Sequence, residues 1–146
     1  MKAINSIKLE FPSKSSNESF ARAAAAAFAA QLDPTMEELG DLRTAVSEAV
    51  TNAIVHAYPD SIGMICMKLR ILEDGTLEVT VRDWGRGIDD VQKAMTPLYS
   101  TGGEERSGMG FTIMDSFTDR LRVRSAPGKG TTVVMQKSFS PRAVRV

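Results

Sequence analysis

Between Asp83 and Gly110 the chain holds six of its eleven glycines and no long apolar run, yet both flanks carry regular hydrophobic patterns. A glycine block of this kind marks backbone that turns sharply or closely approaches another group, because glycine adopts those conformations at little steric cost. The fold must therefore accommodate a loop-rich insertion between regular elements, with one short helix near Asp90 to Met95 inside it.

The flanks say what those elements are. Ile7, Leu9 and Phe11 alternate with polar residues and predict a short strand ending at Pro12. Ser15 and Glu18 have capping-box spacing ahead of the Ala-rich run Phe20 to Gln31, which stops before Asp33-Pro34. Thr35 and Glu38 repeat that spacing and open a longer helix, with Leu39, Leu42, Val46, Ala49, Val50 and Ala53 on its apolar face, failing near Tyr58-Pro59. Met64 to Leu72 and Thr76 to Arg82 read as strands joined through Asp74-Gly75. Beyond the glycine block come a helix from Phe111 to about Phe117 and strands Arg120 to Ser125 and Thr131 to Lys137, separated by Pro127-Gly128-Lys129-Gly130. Strand hairpins divided by blocks of helix predict an α+β fold: a two-layer sandwich with a mixed or antiparallel sheet and its helices on one face. At 146 residues, 42% hydrophobic, the chain has material for one core, so residues 1–146 are expected to form a single domain.

Charge narrows the function. Eighteen Lys+Arg balance eighteen Asp+Glu, which leaves no overall field to concentrate nucleic acid or an anionic membrane, and neither is expected as a direct partner. Met1 to Glu10 carries Lys2, Lys8 and Glu10 with no continuous apolar segment, and no stretch approaches the roughly 20 apolar residues of a membrane span. A cytoplasmic, soluble protein is expected. The single cysteine, Cys66, rules out an internal disulfide and is read as a buried, inert thiol.

Glu48, Asn52 and His56, four residues apart, share one row along the second helix. Taken alone, Glu48 and Asn52 are accounted for by a solvated helix face. Asp83-Trp84-Gly85-Arg86-Gly87-Ile88 follows a strand and places an acid beside two closely spaced glycines. Ser107-Gly108-Met109-Gly110-Phe111 immediately precedes a helix, where free N–H groups and the helix dipole favour phosphate. Gly128-Lys129-Gly130-Thr131 alone reads as a plain hairpin turn.

In this order, Glu48-x-x-x-Asn52, Asp83-x-Gly85-x-Gly87, Gly108-x-Gly110 and Gly130-Thr131 resemble the nucleotide-binding boxes of the gyrase, chaperone, histidine-kinase and mismatch-repair ATPase superfamily, whose fold is the Bergerat-type ATP-binding sandwich. The runs Ser47 to Ile54, Glu105 to Met114, Asn17 to Arg22 and Gln31 to Met36 are similar to the sporulation anti-sigma-F factors, relatives of the general-stress anti-sigma kinases.

The resemblance implies roles. Asn52 gives its side-chain oxygen to Mg²⁺, a hard cation that takes oxygen ligands. Asp83 accepts from the adenine amino group, with the Thr131 hydroxyl assisting, while Gly87 leaves room for the base and Gly85 belongs to the same cofactor-binding box. Glu48 acts as general base towards an attacking hydroxyl. Ser107, Gly108, Met109 and Gly110 hold the phosphates of ATP or ADP, and Met95 to Ser107 forms a lid, with Gly102-Gly103 where the family pattern has a Lys-Pro pair. Arg106 is either a cation near the phosphates or partner, or a surface arginine; Trp84 covers the pocket rim, and His56 is structural. Arg22 contacts both a sigma factor and an anti-anti-sigma protein.

The implied function is a homodimeric anti-sigma factor that inhibits a sporulation sigma factor in an ATP-dependent way and phosphorylates its anti-anti-sigma protein on serine. A general-stress anti-sigma kinase, a histidine-kinase catalytic module and an anti-sigma module with purely structural ATP are the alternatives. The histidine-kinase option is weakened because this chain opens on a strand, where such kinases carry an acceptor-histidine helix.

Overall fold

The structure is a computed structural model that describes residues 1–95 and 110–139. Five strands, β1 (Ala3–Pro12), β2 (Met64–Leu72), β3 (Leu77–Asp83), β4 (Arg120–Ala126) and β5 (Gly130–Lys137), form one sheet in the order β1-β2-β3-β5-β4. Every neighbouring pair is antiparallel, which resolves the mixed-or-antiparallel expectation and establishes the α+β class. Register follows from the hydrophobic alternation, since a slip of one residue would turn each core side chain to solvent. Leu9 sits opposite Met67, Met67 opposite Val81, and Val81 opposite Val133, giving an apolar row across four strands.

The same register sends Glu10, Cys66, Arg82, Thr132 and Arg124 to the other face. Cys66 is therefore half-buried on the open face of the sheet, and the expectation of a buried thiol is corrected. β1 also runs further towards the N-terminus than the alternation suggested, because pairing with β2 holds Ala3 to Ser6 across a register shift between Ala3 and Asn5.

The helices cover the apolar face. α1 (Ser16–Ala29) passes through a 3₁₀ turn, Ala30–Leu32, to Asp33, which takes a left-handed φ of 53°. α2 (Met36–Asn52) begins with the predicted capping box: Glu38 N–H donates to Thr35 Oγ1 (3.0 Å) and Thr35 N–H to Glu38 Oε1 (2.8 Å). No such box forms at Ser15. Its φ of −58° and ψ of −29° are already helical, so its hydroxyl makes no cap bond, and Glu18 instead faces Arg22 at 3.6 Å. α1 packs on α2, each contributing buried alanines (Ala21, Ala25 and Ala29; Ala45 and Ala49) that permit a close approach.

Beyond Asn52 the chain widens into a π-helical turn, Ala53–Ala57, ended by Tyr58. α3 (Val91–Ala94) is the short helix expected inside the glycine block, and α4 (Gly110–Phe117) packs on α2 through a surface that buries Phe111 and Met114.

Candidate active site

The site lies where α2, the start of α4 and the C-terminal end of β3 converge. Glu48 and Asn52 are half-buried on the last turns of α2. Gly110, the first residue of α4, faces both: a Cβ built there would lie 3.3 Å from Glu48 Oε1, 3.3 Å from Asn52 Oδ1 and 3.4 Å from Asn52 Nδ2. The missing side chain thus makes room for the carboxylate and the amide to share one recess at a helix start, where backbone donors and the dipole favour anions. His56 does not continue this row in α-helical register, because the π turn adds a residue to the ring after Asn52.

Asp83 ends β3 and is 6% exposed. Gly85 N–H (3.0 Å) and Thr131 N–H (3.2 Å) both donate to its Oδ1, while among the described residues Oδ2 receives no hydrogen bond. Burial raises its pKa above the usual carboxylate range, outweighing those two donors, which pull the other way. The result is a buried acceptor with one oxygen fixed by the protein and one available to a ligand donor.

The turn after Asp83 is gripped from both sides. A side chain on Gly85 would strike the Ala57 carbonyl, which accepts from Arg86 N–H at 3.1 Å. Gly87 has a φ of +76°, and a Cβ there would run into the Ala126 carbonyl, so no other residue fits both the angle and the gap. Tyr58 completes the grip: its hydroxyl accepts from Trp84 N–H (2.8 Å) and donates to the Met64 carbonyl (2.7 Å). The Trp84 indole itself is half-exposed and lies against Arg82, 4.8 Å from its guanidinium carbon. Its neighbour is therefore an open-face side chain of the sheet.

Thr131 is buried beside Asp83, and its hydroxyl orientation is set by a residue the sequence did not single out. Ser125 Oγ donates to the Gly130 carbonyl (2.9 Å) and accepts from Ile88 N–H (2.8 Å). Its one proton being committed, the 2.8 Å contact with Thr131 Oγ1 requires Thr131 to be the donor. Thr131 Oγ1 thus presents only lone pairs to anything beyond, next to an acceptor carboxylate. The available signal was a hydroxyl on the inward face of β4, following Leu121 and Val123 in alternation.

On the other side of α2, Arg22, Arg43, Thr44, Ser47 and Glu48 line a cleft of about 500 Å³ between α1 and α2. Glu48 therefore borders both the recess at Gly110 and this cleft. Arg106, Ser107, Gly108, Met109 and the expected lid beyond Met95 lie outside the described residues. Among the described residues no cluster of three or more His, Cys, Asp or Glu could hold a metal, so a metal held by the described residues would share its shell with other donors. The hard oxygens of Asn52 and Glu48 at a single recess suit Mg²⁺ bound in that shared way. No helix among the described residues is long and apolar enough to cross a membrane.

The buried acid at the end of β3 and the oxygen-lined recess at the α2–α4 junction lie in a nucleotide-binding ATPase domain: the chain belongs to the histidine kinase-like ATPase domain family, whose profile matches residues 11–137. It is 59% identical over 134 residues to an anti-sigma F factor of Caldanaerobacter subterraneus subsp. tengcongensis, covering 91% of this chain and 93% of that one. It is 50% identical over 137 residues to the anti-sigma F factor of Clostridium acetobutylicum, covering 93% and 95%. These relatives place it among the anti-sigma F factors. The fold is also that of the RsbU and RsbW domains of Rv1364c from Mycobacterium tuberculosis (TM-score 0.70, 20% identity, 97% of this chain and 34% of that one). A histidine kinase domain from Erythrobacter litoralis shares it too (TM-score 0.58, 22% identity, 84% and 60%).

Proposed function

We propose that the chain is an ATP-dependent anti-sigma serine kinase of the sporulation type, cytoplasmic and homodimeric, that captures a sigma factor and phosphorylates its anti-anti-sigma protein. The observation that carries this reading is the position of Glu48 between the recess at Gly110 and the Arg22 cleft. A hydroxyl delivered through the cleft would meet the carboxylate on the side facing the nucleotide phosphates. Glu48 accepts the hydroxyl proton while the serine oxygen forms its bond to the γ-phosphorus and the bond to the ADP oxygen breaks. Asn52 offers its side-chain oxygen to Mg²⁺, which when bound neutralises charge on the phosphates. Asp83 Oδ2 accepts from the adenine amino group, and the acceptor character of Thr131 Oγ1 suits a donor or a bridging water at the same edge. Ser107, Gly108, Met109 and Arg106 are proposed to complete the phosphate and partner contacts. Arg22 and Arg43 supply the cationic wall against which a partner docks. The anti-sigma F names of the relatives favour the sporulation type over the general-stress kinase.

The test uses purified sigma and anti-anti-sigma proteins from the same genome with Mg·ATP, reading phosphoserine by mass spectrometry and complex formation by surface plasmon resonance. Glu48→Gln should keep nucleotide and sigma binding and lose roughly 10²-fold or more in phosphorylation, the scale of general-base catalysis. Arg22→Glu should weaken both protein complexes and leave ATP affinity unchanged. Near wild-type phosphorylation by Glu48→Gln would reduce Glu48 to a helix-face carboxylate, and normal capture of both proteins by Arg22→Glu would move the partner surface elsewhere.

A further inference from the structure

The open face of the sheet is charged in a way the whole chain is not. Strand register collects Lys8 on β1, Lys68 and Arg70 on β2, Arg82 on β3 and Arg120, Arg122 and Arg124 on β4 on this one surface. The carboxylates at the same strand positions are Glu10 and Glu78. Seven cations against two acids stand here in a chain with eighteen of each, leaving eleven cations and sixteen acids everywhere else. Glu78 is already engaged, by Arg70 at 2.7 Å and by Gln136 Nε2 at 2.9 Å. Among the described residues Lys8, Lys68, Arg82, Arg120, Arg122 and Arg124 have no carboxylate within ion-pair distance.

Within the fold only Arg70, paired with Glu78, and Arg82, lying against Trp84, gain a close partner from this arrangement. Lys8 and Lys68 are direct cross-strand partners, and like charges placed opposite one another destabilise a sheet by about 0.2–1 kcal/mol. On β4 the three arginines repeat at every second residue, about 7 Å apart along the strand. That is also the spacing of same-face carboxylates on an extended acidic segment.

The geometry points to the open sheet face as a docking surface for an acidic protein partner, one that lays carboxylates against the Arg120, Arg122 and Arg124 row and the Arg82 and Lys68 positions behind it. A second copy of this chain would bring the same cations against themselves. Single-stranded nucleic acid binds sheets by stacking bases on aromatic side chains, and no aromatic side chain occupies the paired strand positions of this face, Trp84 lying beyond the end of β3 against Arg82. The rest of the chain, with its excess of acids, would also repel a polyanion long enough to leave the face. Because the helices cover the opposite side of the sheet, a protein held in the Arg22 cleft leaves this surface open, and the assignment does not rest on the kinase reading.

The probe is a blocked 12-residue peptide of alternating glutamate and serine, titrated into ¹⁵N-labelled full chain at low and at physiological ionic strength. Saturable amide shifts should concentrate on β3, β4 and β5 at Arg82, Arg122, Arg124 and Thr132, with affinity falling as salt rises. Arg122→Glu combined with Arg124→Glu should weaken binding by about tenfold or more, while Lys14→Glu, away from this face, leaves it unchanged. Unchanged Mg·ATP affinity and melting temperature verify that both variants fold. The assignment fails if the peptide shifts nothing or shifts the α1–α2 cleft instead, or if the double variant binds like wild type. It fails equally if an oligothymidylate of matched charge takes the same face more tightly, or if sedimentation shows the face occluded by a second copy.

Discussion

Replacing Asp83 by asparagine tests the base-reading assignment through a change in hydrogen-bond polarity at nearly constant shape. Gly85 N–H and Thr131 N–H both donate to Oδ1, so an asparagine keeps them only by placing its own carbonyl oxygen there. Its amide nitrogen must then occupy the position of Oδ2, and an acceptor becomes a donor. Facing the adenine amino group, that donor loses a charge-assisted hydrogen bond, worth about 1.5–3 kcal/mol, which corresponds to about 10- to 150-fold in affinity. Inosine triphosphate, with a carbonyl in place of the amino group, should gain relative to ATP in the same variant. The fold should not suffer, because burial already disfavours the charge that is removed. Calorimetric titrations of both nucleotides with Mg²⁺, alongside a melting curve, measure all three effects. Wild-type ATP affinity in Asp83→Asn, or an equal loss for the two nucleotides, would show that the base does not meet this carboxylate.

Three further outcomes follow from the geometry. The raised pKa of Asp83 means that ATP affinity should fall as pH drops through a value above the ordinary carboxylate pKa of about 3.9, with a plateau above it and no such step in Asp83→Asn. Stability should respond with the opposite sign, since the protonated form's contribution is fully present below the unfolded pKa and lost as pH rises through the folded one; calorimetry and melting across pH check the pair. Gly110→Ala should hold or raise the melting temperature by helix propensity, yet cut phosphoserine formation by about tenfold or more as the new methyl group displaces Glu48 and Asn52, and full activity would remove the recess from the mechanism. Ser125→Ala should cost about 1–3 kcal/mol, read as a drop of several degrees in melting temperature, and weaken ATP binding by freeing the Thr131 hydroxyl, whereas unchanged values for both would leave Ser125 without a role.

The elements that position the site were legible because their signals are local. Thr35 and Glu38 reach only each other, and the alternation in Met64 to Leu72 needs no distant partner to set its register period. Ser15 shows the limit, since its identity permits a cap but the helical backbone at that residue leaves its hydroxyl nothing to cap. Cys66 shares a period with Met64, Lys68 and Arg70, so the alternation itself assigns it to the open face, against the general tendency of a lone thiol to be buried. What stayed out of reach was non-local. Ser125, Tyr58 and Ala57 act on the Asp83 turn from other elements, and no spacing within any one of them announces the meeting. The basic sheet face was invisible to net charge for the same reason, because only strand order brings β1, β2, β3 and β4 cations onto one surface.

The π turn at Ala53–Ala57 amounts to an α-helix with one codon too many. If the same residues closed into regular α-helix instead, every residue after them would rotate by about 100° and shift by about 1.5 Å. Tyr58 would swing away from the Met64 carbonyl and Trp84 N–H, releasing the turn that carries Gly85 and Gly87 beneath Asp83. The wide turn is thus the device that absorbs a surplus residue and keeps two helical turns and a strand end in phase.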